Sequence, residues 1–238
     1  MTLQNKVAIV TGASRGIGEA VAKAFAREGV DLALIARNES ELQQVSADIR
    51  EKGRDCLVIP TDVRNEDEIC GAVRRTLDHY GKIDILVNNA GIGLFKPVQD
   101  TALDEWNCVL ATNLTAPFLF SREVLPTMVE RGQGQIINIS SDVGKRTIPK
   151  GAAYCASKFG IHAFSGALAK EVRKLGIKVG VISPGMTDTY FNESEQGDPE
   201  KKGWLLAEDI AEAVVFMASR PRHALIDELE IHPIIQEY

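Results

Sequence analysis

A tyrosine and a lysine stand four residues apart in the sequence Tyr154-Cys155-Ala156-Ser157-Lys158. On a helix, positions i and i+4 lie one above the other on the same face, so the phenol and the ammonium would be neighbours. An ammonium beside a phenol favours the phenolate and lowers the pKa of the tyrosine. A phenol whose pKa can be adjusted in this way is suited to giving and taking a proton in general acid–base chemistry.

A glycine-rich segment lies near the N-terminus, Thr11-Gly12-Ala13-Ser14-Arg15-Gly16-Ile17-Gly18. Gly12 would let the chain turn sharply off a strand, while Gly16 and Gly18 would let the backbone approach a pyrophosphate. Backbone N–H groups at the start of the following helix, aided by the helix dipole, would bind the phosphates. The spacing is G-x-x-x-G-x-G, and a tight strand–helix turn alone would also need such glycines. Together with the tyrosine and the lysine, the segment predicts hydride transfer coupled to proton transfer.

The residues after the second predicted strand indicate which nicotinamide cofactor would bind. A carboxylate at this point bonds the ribose 2′-hydroxyl of NAD, whereas an arginine accommodates the 2′-phosphate of NADP. The sequence here is Ala36-Arg37-Asn38, without a carboxylate. Arg15 adds a second guanidinium, and two guanidiniums can hold a phosphate by charge-assisted hydrogen bonds. The pattern favours NADP(H) over NAD(H); the alternative is that Arg37 is only a solvated surface charge.

Short apolar runs alternate with longer helical patterns along the 238 residues. This alternation is typical of a parallel sheet covered by helices on both faces. We predict an α/β fold of the Rossmann type, a single doubly wound domain over residues 1–238 with about seven strands. The predicted strands are 7–10, 31–35, 56–59, 83–87, 135–139, 178–182 and 228–231. The first predicted helix starts at Gly16, and the others cover 39–52, 65–80, 103–130, 153–175 and 207–219.

Two irregular regions are expected within this pattern. Pro117 and Pro126 should kink or interrupt the long helical region at 103–130, because proline lacks the N–H that a helix interior needs. The polar, weakly patterned stretch at about 187–203 follows a strand end, at the mouth of the sheet. We expect it to be a substrate loop rather than a domain boundary.

Composition and charge exclude several classes of protein. The net charge of −6 argues against a general nucleic-acid or membrane-surface binder. No N-terminal apolar run resembles a signal peptide, and no apolar stretch approaches the ~18–20 residues of a membrane span. The four cysteines form no C-x-x-C pair, which predicts free thiols in a reducing cytoplasm. The four histidines show no metal-ligand spacing, so we predict no metal site.

Over essentially its full length the chain resembles the short-chain dehydrogenases/reductases of the single-domain type. Seven sequence elements in the family's order carry the resemblance, and none of them would suffice alone. They are Thr11 to Gly18, Asp62-Val63, Asn88-Asn89-Ala90-Gly91, Asn113, Ser140-Ser141, Tyr154 to Lys158, and Pro184-Gly185 with Thr189.

The resemblance implies how each element would bind the cofactor. Asp62 would bond the adenine amino group, although it could instead cap the helix that follows. Asn88 and its neighbours would line the adenosine ribose and steady the sheet, although they could form only a strand-end turn. The loop after Pro184 would hold the nicotinamide carboxamide, and Lys158 would bond the nicotinamide ribose. The implied cofactor-binding set is Gly12, Ser14, Arg15, Gly16, Ile17, Gly18, Arg37, Asp62, Val63, Asn88, Ala90, Gly91, Tyr154, Lys158, Pro184, Gly185, Thr187 and Thr189.

The resemblance also implies a catalytic set of Asn113, Ser141, Tyr154 and Lys158. Tyr154 would protonate the carbonyl oxygen of the substrate, with its pKa lowered by roughly 2–3 units by Lys158 and the positive nicotinamide ring. Ser141 would donate a hydrogen bond to the same oxygen, and its neighbour Ser140 would be structural. Asn113 would order a water in a proton path from Lys158 to solvent.

The substrate is predicted only by class. An apolar wall suits a ketone, an aldehyde or a 3-oxo acid, or the corresponding alcohol, with an alkyl or aryl body. Lys145 and Arg146 raise the possibility of an anionic substrate, but we expect both to be solvated. The predicted wall is Gly93, Leu94, Asp142, Val143, Ile148, Met186, Tyr190 and Trp204.

Other functions and the assembly state stay open. A 3-oxoacyl-[acyl-carrier-protein] reductase is disfavoured because residues 227–233 replace the family's frequent Gly-Gly segment. A sugar-nucleotide epimerase would need a larger C-terminal domain, and a non-catalytic nucleotide sensor would not need Ser141, Tyr154 and Lys158. Family members are usually tetramers or dimers, so we expect a homotetramer or homodimer. The small residues of the helix from Ala153 onward would permit close helix–helix contact, or could equally pack on their own sheet.

Overall fold

The computed structural model describes residues 2–237, which contain a parallel sheet of seven strands. The strand order is β3-β2-β1-β4-β5-β6-β9, and every neighbouring pair is parallel. The order reverses between β1 and β4, which opens a crevice at the carboxyl ends of the strands. The predicted Rossmann-type fold is therefore confirmed. The strands are β1 Val7–Thr11, β2 Asp31–Ala36, β3 Cys56–Pro60, β4 Ile85–Asn88, β5 Gly134–Ile139, β6 Ile177–Pro184 and β9 Glu228–Ile231.

Helices cover both faces of the sheet, because successive residues of each strand point to opposite sides. Ala8 and Val10 of β1 lie in one apolar cluster, whereas Ile9 between them lies in the other. The first cluster is closed by α1 Gly16–Arg27, α2 Glu39–Glu51 and α7 Ala207–Ala218. The second is closed by α3 Glu66–Tyr80, α5 Ala116–Glu130 and α6 Ala152–Val172. Within residues 2–237, no helix has the length and apolar character needed to cross a membrane.

The long helical region breaks where Pro117 predicts a break. A first helix, α4 Leu103–Leu110, passes into a π-helical turn over Ala111–Thr115, and α5 begins directly after it. In a continuous α-helix the N–H of residue 117 would bond the carbonyl of Asn113, and proline has no N–H to offer. The wider turn that results carries Asn113.

Pro126, in contrast, does not interrupt the helix as expected. α5 continues through this proline as far as Glu130. Val124 and Met128 flank it and are fully buried against the sheet. Their packing outweighs the cost of about 3 kcal/mol that a proline imposes on a helix interior.

The stretch expected as an irregular loop is folded. A two-residue strand, β7 Thr187–Asp188, pairs with β8 Leu205–Leu206, and two short 3₁₀ turns lie between them at Phe191–Glu193 and Pro199–Lys201. We call residues 187–206 the β7–β8 segment.

A buried ammonium group organises the β7–β8 segment. Lys201 is 8% exposed, and its Nζ donates to the carbonyl of Thr189 at 2.7 Å and to the Ser194 hydroxyl at 3.0 Å. It also donates to the carbonyl of Glu195 and lies 3.2 Å from the Asp188 carboxylate. Because a buried charge must be paired and hydrogen-bonded, these contacts fix the path of the segment.

A chain of polar side chains joins the centre of the sheet to α6. Asn88 on β4 is paired in register with Asn138 on β5, and the Asn88 Nδ2 donates to the Asn138 Oδ1 at 2.8 Å. Asn138, in turn, donates to the Ser165 hydroxyl at 2.8 Å, and that hydroxyl donates to the carbonyl of Ile161 at 2.6 Å. Asn138 has no exposed surface, so these hydrogen bonds form where water cannot replace them.

Removing the centre of this chain should destabilise the fold. We expect Asn138→Ala to lower the free energy of unfolding by about 2–3 kcal/mol, because it leaves the Asn88 amide without an acceptor in a dry site. Ser165→Ala removes only the end of the chain and should cost about 1 kcal/mol. Urea unfolding of the three proteins measures the difference. An Asn138→Ala variant as stable as wild type would show that the chain does not stabilise the sheet.

Candidate active site

Tyr154 and Lys158 lie side by side in the first turns of α6, as their spacing predicts. Tyr154 is 8% exposed and Lys158 is 5% exposed. The Lys158 Nζ donates to the carbonyl of Ile139, the last residue of β5, at 2.9 Å and lies 5.6 Å from the centre of the Tyr154 ring. The helix thus brings the phenol and the ammonium to the carboxyl end of the sheet, where ligands bind in folds of this kind.

The pKa of Tyr154 moves in the direction opposite to the one expected from the spacing. Burial raises the pKa of the Tyr154 phenol because the phenolate would lose its hydration. A hydrogen bond with Ser141 lowers this pKa, but the nearby Asp142 charge raises it further. Burial also lowers the pKa of Lys158 to about 8. For the protein chain alone, the expected lowering of the Tyr154 pKa is therefore wrong, because spacing does not reveal how deeply the pair is buried.

Ser141 follows β5 and is held by the short turn that comes next. Its hydroxyl donates to the Asp142 carboxylate at 2.9 Å and accepts from the N–H of Val143 at 3.4 Å. The neighbouring Ser140 is buried and donates to the carbonyl of Lys158 at 3.4 Å. Ser140 thus packs inside the protein, whereas Ser141 faces the phenol.

Asn113, in the π-helical turn, connects three parts of the site. Its Oδ1 accepts from the N–H of Ile92 at 2.9 Å, and its Nδ2 donates to the carbonyl of Ile92 at 2.9 Å and to the Ser157 hydroxyl at 3.1 Å. A Cβ built on Gly91 would lie 3.6 Å from the Asn113 Oδ1 and 3.8 Å from the Lys158 Nζ. Asn113 and Lys158 therefore border the same small space beside Gly91.

Two phenylalanines that the sequence reasoning missed surround the phenol. The ring centroids of Phe95 and Phe191 lie 5.7 Å and 5.4 Å from that of Tyr154, and 6.4 Å from each other. Gly93 leaves room for them, since a Cβ there would lie 2.8 Å from the Phe191 ring. The three rings form an apolar wall at the phenol. Phe95 and Phe191 lie on irregular segments, where no periodic pattern signals which side chains point inward.

Several residues predicted for the substrate wall have other partners. Tyr190 lies under the Arg15 guanidinium at 5.4 Å, and Trp204 lies 6.0 Å from the Lys201 ammonium. Ile148 lines a surface groove with Val98 and Phe159. Gly93 and Val143 do contribute to the surroundings of Tyr154.

Lys145 is exposed, as the sequence led us to expect, but its ammonium is also paired. Its ammonium lies 2.8 Å from the Glu228 carboxylate and 3.1 Å from that of Glu230, both on β9. The Lys145 ammonium, which had raised the possibility of an anionic substrate, is therefore paired with two carboxylates of the chain itself.

The glycine-rich segment forms a turn that leaves no space for a side chain at Gly12 or Gly18. Gly12 has a φ of +65°, and a Cβ there would lie 2.9 Å from the Cα of Ala90. A Cβ on Gly18 would lie 2.1 Å from the carbonyl oxygen of Gly12. Asn89 secures the turn by donating to the carbonyl of Thr11 at 2.9 Å.

The start of α1 fits a phosphate group. Arg15 precedes the helix and makes no side-chain capping hydrogen bond, so the first N–H groups of α1 are left to a ligand. Thr189 of the β7–β8 segment lies close by, since a Cβ on Gly16 would be 3.5 Å from the Thr189 Cβ. The glycine turn and the loop after β6 thus face each other across the crevice.

Arg37 and Asp62 lie together beyond the ends of β2 and β3. Arg64 donates to the Asp62 carboxylate at 3.0 Å, and this guanidinium lowers the pKa of Asp62 to about 2. Burial acts in the opposite direction, and the more distant Arg37 charge adds to the lowering. The carboxylate is therefore ionised and able to accept a further hydrogen bond. Asn65, and not Asp62, caps α3 through its side chain, so the capping role left open for Asp62 is excluded.

The remaining cofactor candidates lie at the same edge of the sheet. The side chain of Asn88 is buried in the sheet, where its Nδ2 donates to Asn138 and steadies β4. The N–H of Ala90 donates to the Thr11 hydroxyl at 3.0 Å. After β6, the N–H of Gly185 donates to the carbonyl of Ile231 at 2.8 Å, and the Thr187 hydroxyl donates to the carbonyl of Gly185 at 3.0 Å.

Comparisons with known proteins agree with this architecture. The profile of the short chain dehydrogenase family matches residues 6–200. An uncharacterized oxidoreductase of Staphylococcus aureus is 36% identical over 232 residues, covering 98% of this chain and 99% of the relative. The chain therefore belongs to the short-chain dehydrogenase family.

Two solved structures show the same fold over the whole chain. An alcohol dehydrogenase from the archaeon Thermococcus sibiricus, complexed with 5-hydroxy-NADP, is 32% identical with a TM-score of 0.94, covering 99% of each chain. A xylitol dehydrogenase bound to NAD+ is 30% identical with a TM-score of 0.89, covering 98% of this chain and all of the other.

The effect of burial on Tyr154 can be observed by phenolate absorbance. We expect the wild-type minus Tyr154→Phe difference to show no phenolate between about pH 7 and about pH 10 without added ligand, because burial raises the pKa of Tyr154 above the ~10 of a free tyrosine. Tyr190→Phe, which removes an exposed phenol, controls for the absorbance change of one tyrosine. A phenolate that forms from Tyr154 near neutral pH would contradict the prediction.

Proposed function

We propose that the protein is an NADP(H)-dependent oxidoreductase that interconverts a carbonyl compound and the corresponding alcohol. The observation that carries this proposal is the buried pair of Tyr154 and Lys158 beside Ser141, across the crevice from an uncapped helix start. A nicotinamide cofactor, when bound, would supply or accept the hydride. The chain's own residues would then bind, orient and protonate the substrate.

The proton would be given by Tyr154. Because burial raises the pKa of Tyr154, its hydroxyl keeps its proton until negative charge develops on the substrate oxygen. Ser141 would donate a hydrogen bond to the same oxygen, which is worth more in a dry site than in water. Lys158, with a pKa of about 8, gains and loses a proton close to neutral pH and would replace the proton of the phenol. Asn113 would hold the water that links Lys158 to solvent.

The cofactor would lie along the crevice. The glycine turn at Gly12, Ser14, Gly16, Ile17 and Gly18 would hold the pyrophosphate, and Asp62 with Val63 the adenine. Ala90 and Gly91, with the backbone of Asn88, would line the adenosine ribose. Lys158 would hold the nicotinamide ribose, and the loop at Pro184, Gly185, Thr187 and Thr189 the carboxamide.

Arg37 favours NADP(H) over NAD(H). It is exposed directly after β2, where the sequence Ala36-Arg37-Asn38 has no carboxylate, and it lies near enough to Asp62 to lower the pKa of that carboxyl. The two solved relatives bind different cofactors, so their likeness does not decide the preference. Arg15, held over the Tyr190 ring, would provide the second cation at the glycine turn.

A charge reversal at Arg37 tests this preference. We expect Arg37→Asp to raise KM for NADPH by about 10- to 100-fold, since a charge-assisted hydrogen bond contributes about 1.5–3 kcal/mol, while KM for NADH stays the same or falls. Lys52→Asp makes the same charge change at the other end of α2 and should alter neither value. An equal effect of Arg37→Asp on both cofactors would overturn the assignment.

The substrate we propose is a ketone, an aldehyde or a 3-oxo acid with an alkyl or aryl body. Phe95 and Phe191 present apolar surface at the phenol, and apolar pockets bind such bodies. The Lys145 ammonium is paired with Glu228 and Glu230 of β9, which weakens the case for a strongly anionic substrate.

Oxidation of NADPH by the purified protein tests the function. The panel holds small α-diketones, aryl aldehydes, 3-oxo acids and an acetoacetyl thioester. We expect turnover of at least one free carbonyl compound and a loss of about 10²- to 10⁴-fold in Tyr154→Phe with NADPH binding retained, as for removal of a general acid. Tyr80→Phe, at the C-terminal end of α3, is the matched control.

The other outcomes of this assay are equally informative. Turnover of the thioester alone would indicate an acyl-carrier-protein reductase instead. NADPH binding without turnover of any substrate would indicate a nucleotide sensor. Wild-type turnover in Tyr154→Phe would refute the role of the phenol.

We also propose a homotetramer or homodimer in the cytoplasm. Ala163, Gly166 and Ala167 of α6 are exposed, so they do not pack on their own sheet and are free to face another copy. All four cysteines are free thiols, in keeping with a reducing compartment. Light scattering gives the mass directly, and the 25.9 kDa of a single chain would exclude an assembly.

A further inference from the structure

The side chain of Gln236, close to the C-terminus, lies between two loops at the carboxyl edge of the sheet. Its Nε2 donates to the Asp142 Oδ2 at 2.7 Å, and its Oε1 accepts from the N–H of Met186 at 2.9 Å. Asp142 follows Ser141 in the loop after β5, and Met186 lies between Gly185 and Thr187 in the loop after β6. One amide group therefore joins the serine loop to the proposed carboxamide loop.

The contact with Asp142 extends directly to Ser141. The other oxygen of the same carboxylate, Oδ1, accepts from the Ser141 hydroxyl at 2.9 Å and from the N–H of Val143 at 2.8 Å. Both carboxylate oxygens are thus held by donors, one of which is Gln236. The position of the carboxylate, and with it that of the Ser141 hydroxyl, depends on the tail.

The chemistry of the bridge requires an amide. One end must donate to a carboxylate and the other must accept from a backbone N–H, which glutamine can do and an ionised glutamate cannot. The fit is tight, since a Cβ on Gly185 would lie 2.2 Å from the Gln236 Oε1. The tail is brought there by β9, whose Ile231 accepts from the N–H of Gly185, and by a turn in which the N–H of Gln236 donates to the carbonyl of Pro233.

We propose that Gln236 is a positioning residue, which holds Asp142, and through it the Ser141 hydroxyl, at a fixed distance from the loop that follows β6. The proposal rests on the proposed function, in which Ser141 bonds the substrate oxygen. It gives the tail a part in positioning Ser141.

Two variants separate positioning from simple packing. Gln236→Ala removes the bridge, and Gln236→Glu keeps its length but places a second carboxylate against Asp142. Glu237→Gln changes the charge of the neighbouring tail residue and is the control. We expect Gln236→Ala to lower kcat about tenfold while the Kd for NADPH changes by a smaller factor, because the glycine turn that would hold the pyrophosphate is untouched and only the carboxamide loop loses a contact.

Gln236→Glu should have a pH signature of its own. Two carboxylates that share a proton can form the bridge, and two ionised ones repel, so its kcat relative to wild type should fall as pH rises from about 5 to about 8. Tyr154 also senses the Asp142 charge, but burial keeps it protonated over this range. The Lys145 ammonium, three residues beyond Asp142, is held by the β9 carboxylates. The His232 ring, which flanks the same Gly185 position as the Gln236 amide, is present in wild type and in both variants, so comparison with Gln236→Ala separates its contribution. The ratio for Gln236→Ala should not depend on pH.

Hydrogen exchange gives a readout that does not need turnover. Peptides that cover 140–146 and 184–191 should both exchange faster in Gln236→Ala than in wild type and Glu237→Gln, because the amide bridges the two loops. Unchanged exchange in either peptide would overturn the bridge. If wild type turns over and both Gln236 variants match it, or both lose activity equally at every pH, Gln236 does not position Ser141. A wild-type protein without turnover would count against the proposed function, while the exchange data would still decide the bridge.

Discussion

The burial of Tyr154 and Lys158 together is the constraint on which the site depends. Each group is driven toward its neutral form, since burial raises the pKa of the phenol and lowers that of the ammonium. The Lys158 Nζ donates to the carbonyl of Ile139 on β5, so it does not act as a permanent counter-charge for Tyr154. The buried phenol therefore keeps its proton, and a ligand that brings charge into this site would shift the pKa values of both groups.

Much of the fold was predictable because it follows from local patterns. Alternating apolar runs mark strands buried on both faces, and the prediction for β9 at 228–231 matches its bounds in the structure. Pro117 predicted the break that places Asn113, because a missing N–H acts on its own helix. Pro126 has the same chemistry and breaks nothing, since packing of α5 on the sheet is a tertiary effect that sequence spacing does not contain.

The parts of the site that sequence reasoning missed are contacts across loops. Gln236 meets Asp142 over 94 residues of chain, and the motif that includes Ser141 and Tyr154 says nothing about the tail. Phe191 and Lys201 lie in a segment that looks polar and irregular, and only the folded path turns the first onto Tyr154 and buries the second. Tyr154 itself was found from its spacing, but the direction of its pKa was not, because spacing does not measure desolvation.

The β7–β8 segment links the parts of the site that the sequence predicted with the parts that it did not. Lys201 ties its interior together through the carbonyl of Thr189, and Thr189 packs against Gly16 of the glycine turn. Just before the segment, the N–H of Met186 donates to Gln236, and within the segment the Phe191 ring lies against Tyr154. The segment therefore contacts the glycine turn and the Tyr154 phenol, and it is joined to the Ser141 loop through Gln236. Because a buried ammonium must keep its partners, Lys201 holds Thr189 beside the glycine turn and Phe191 beside Tyr154 in one folded segment.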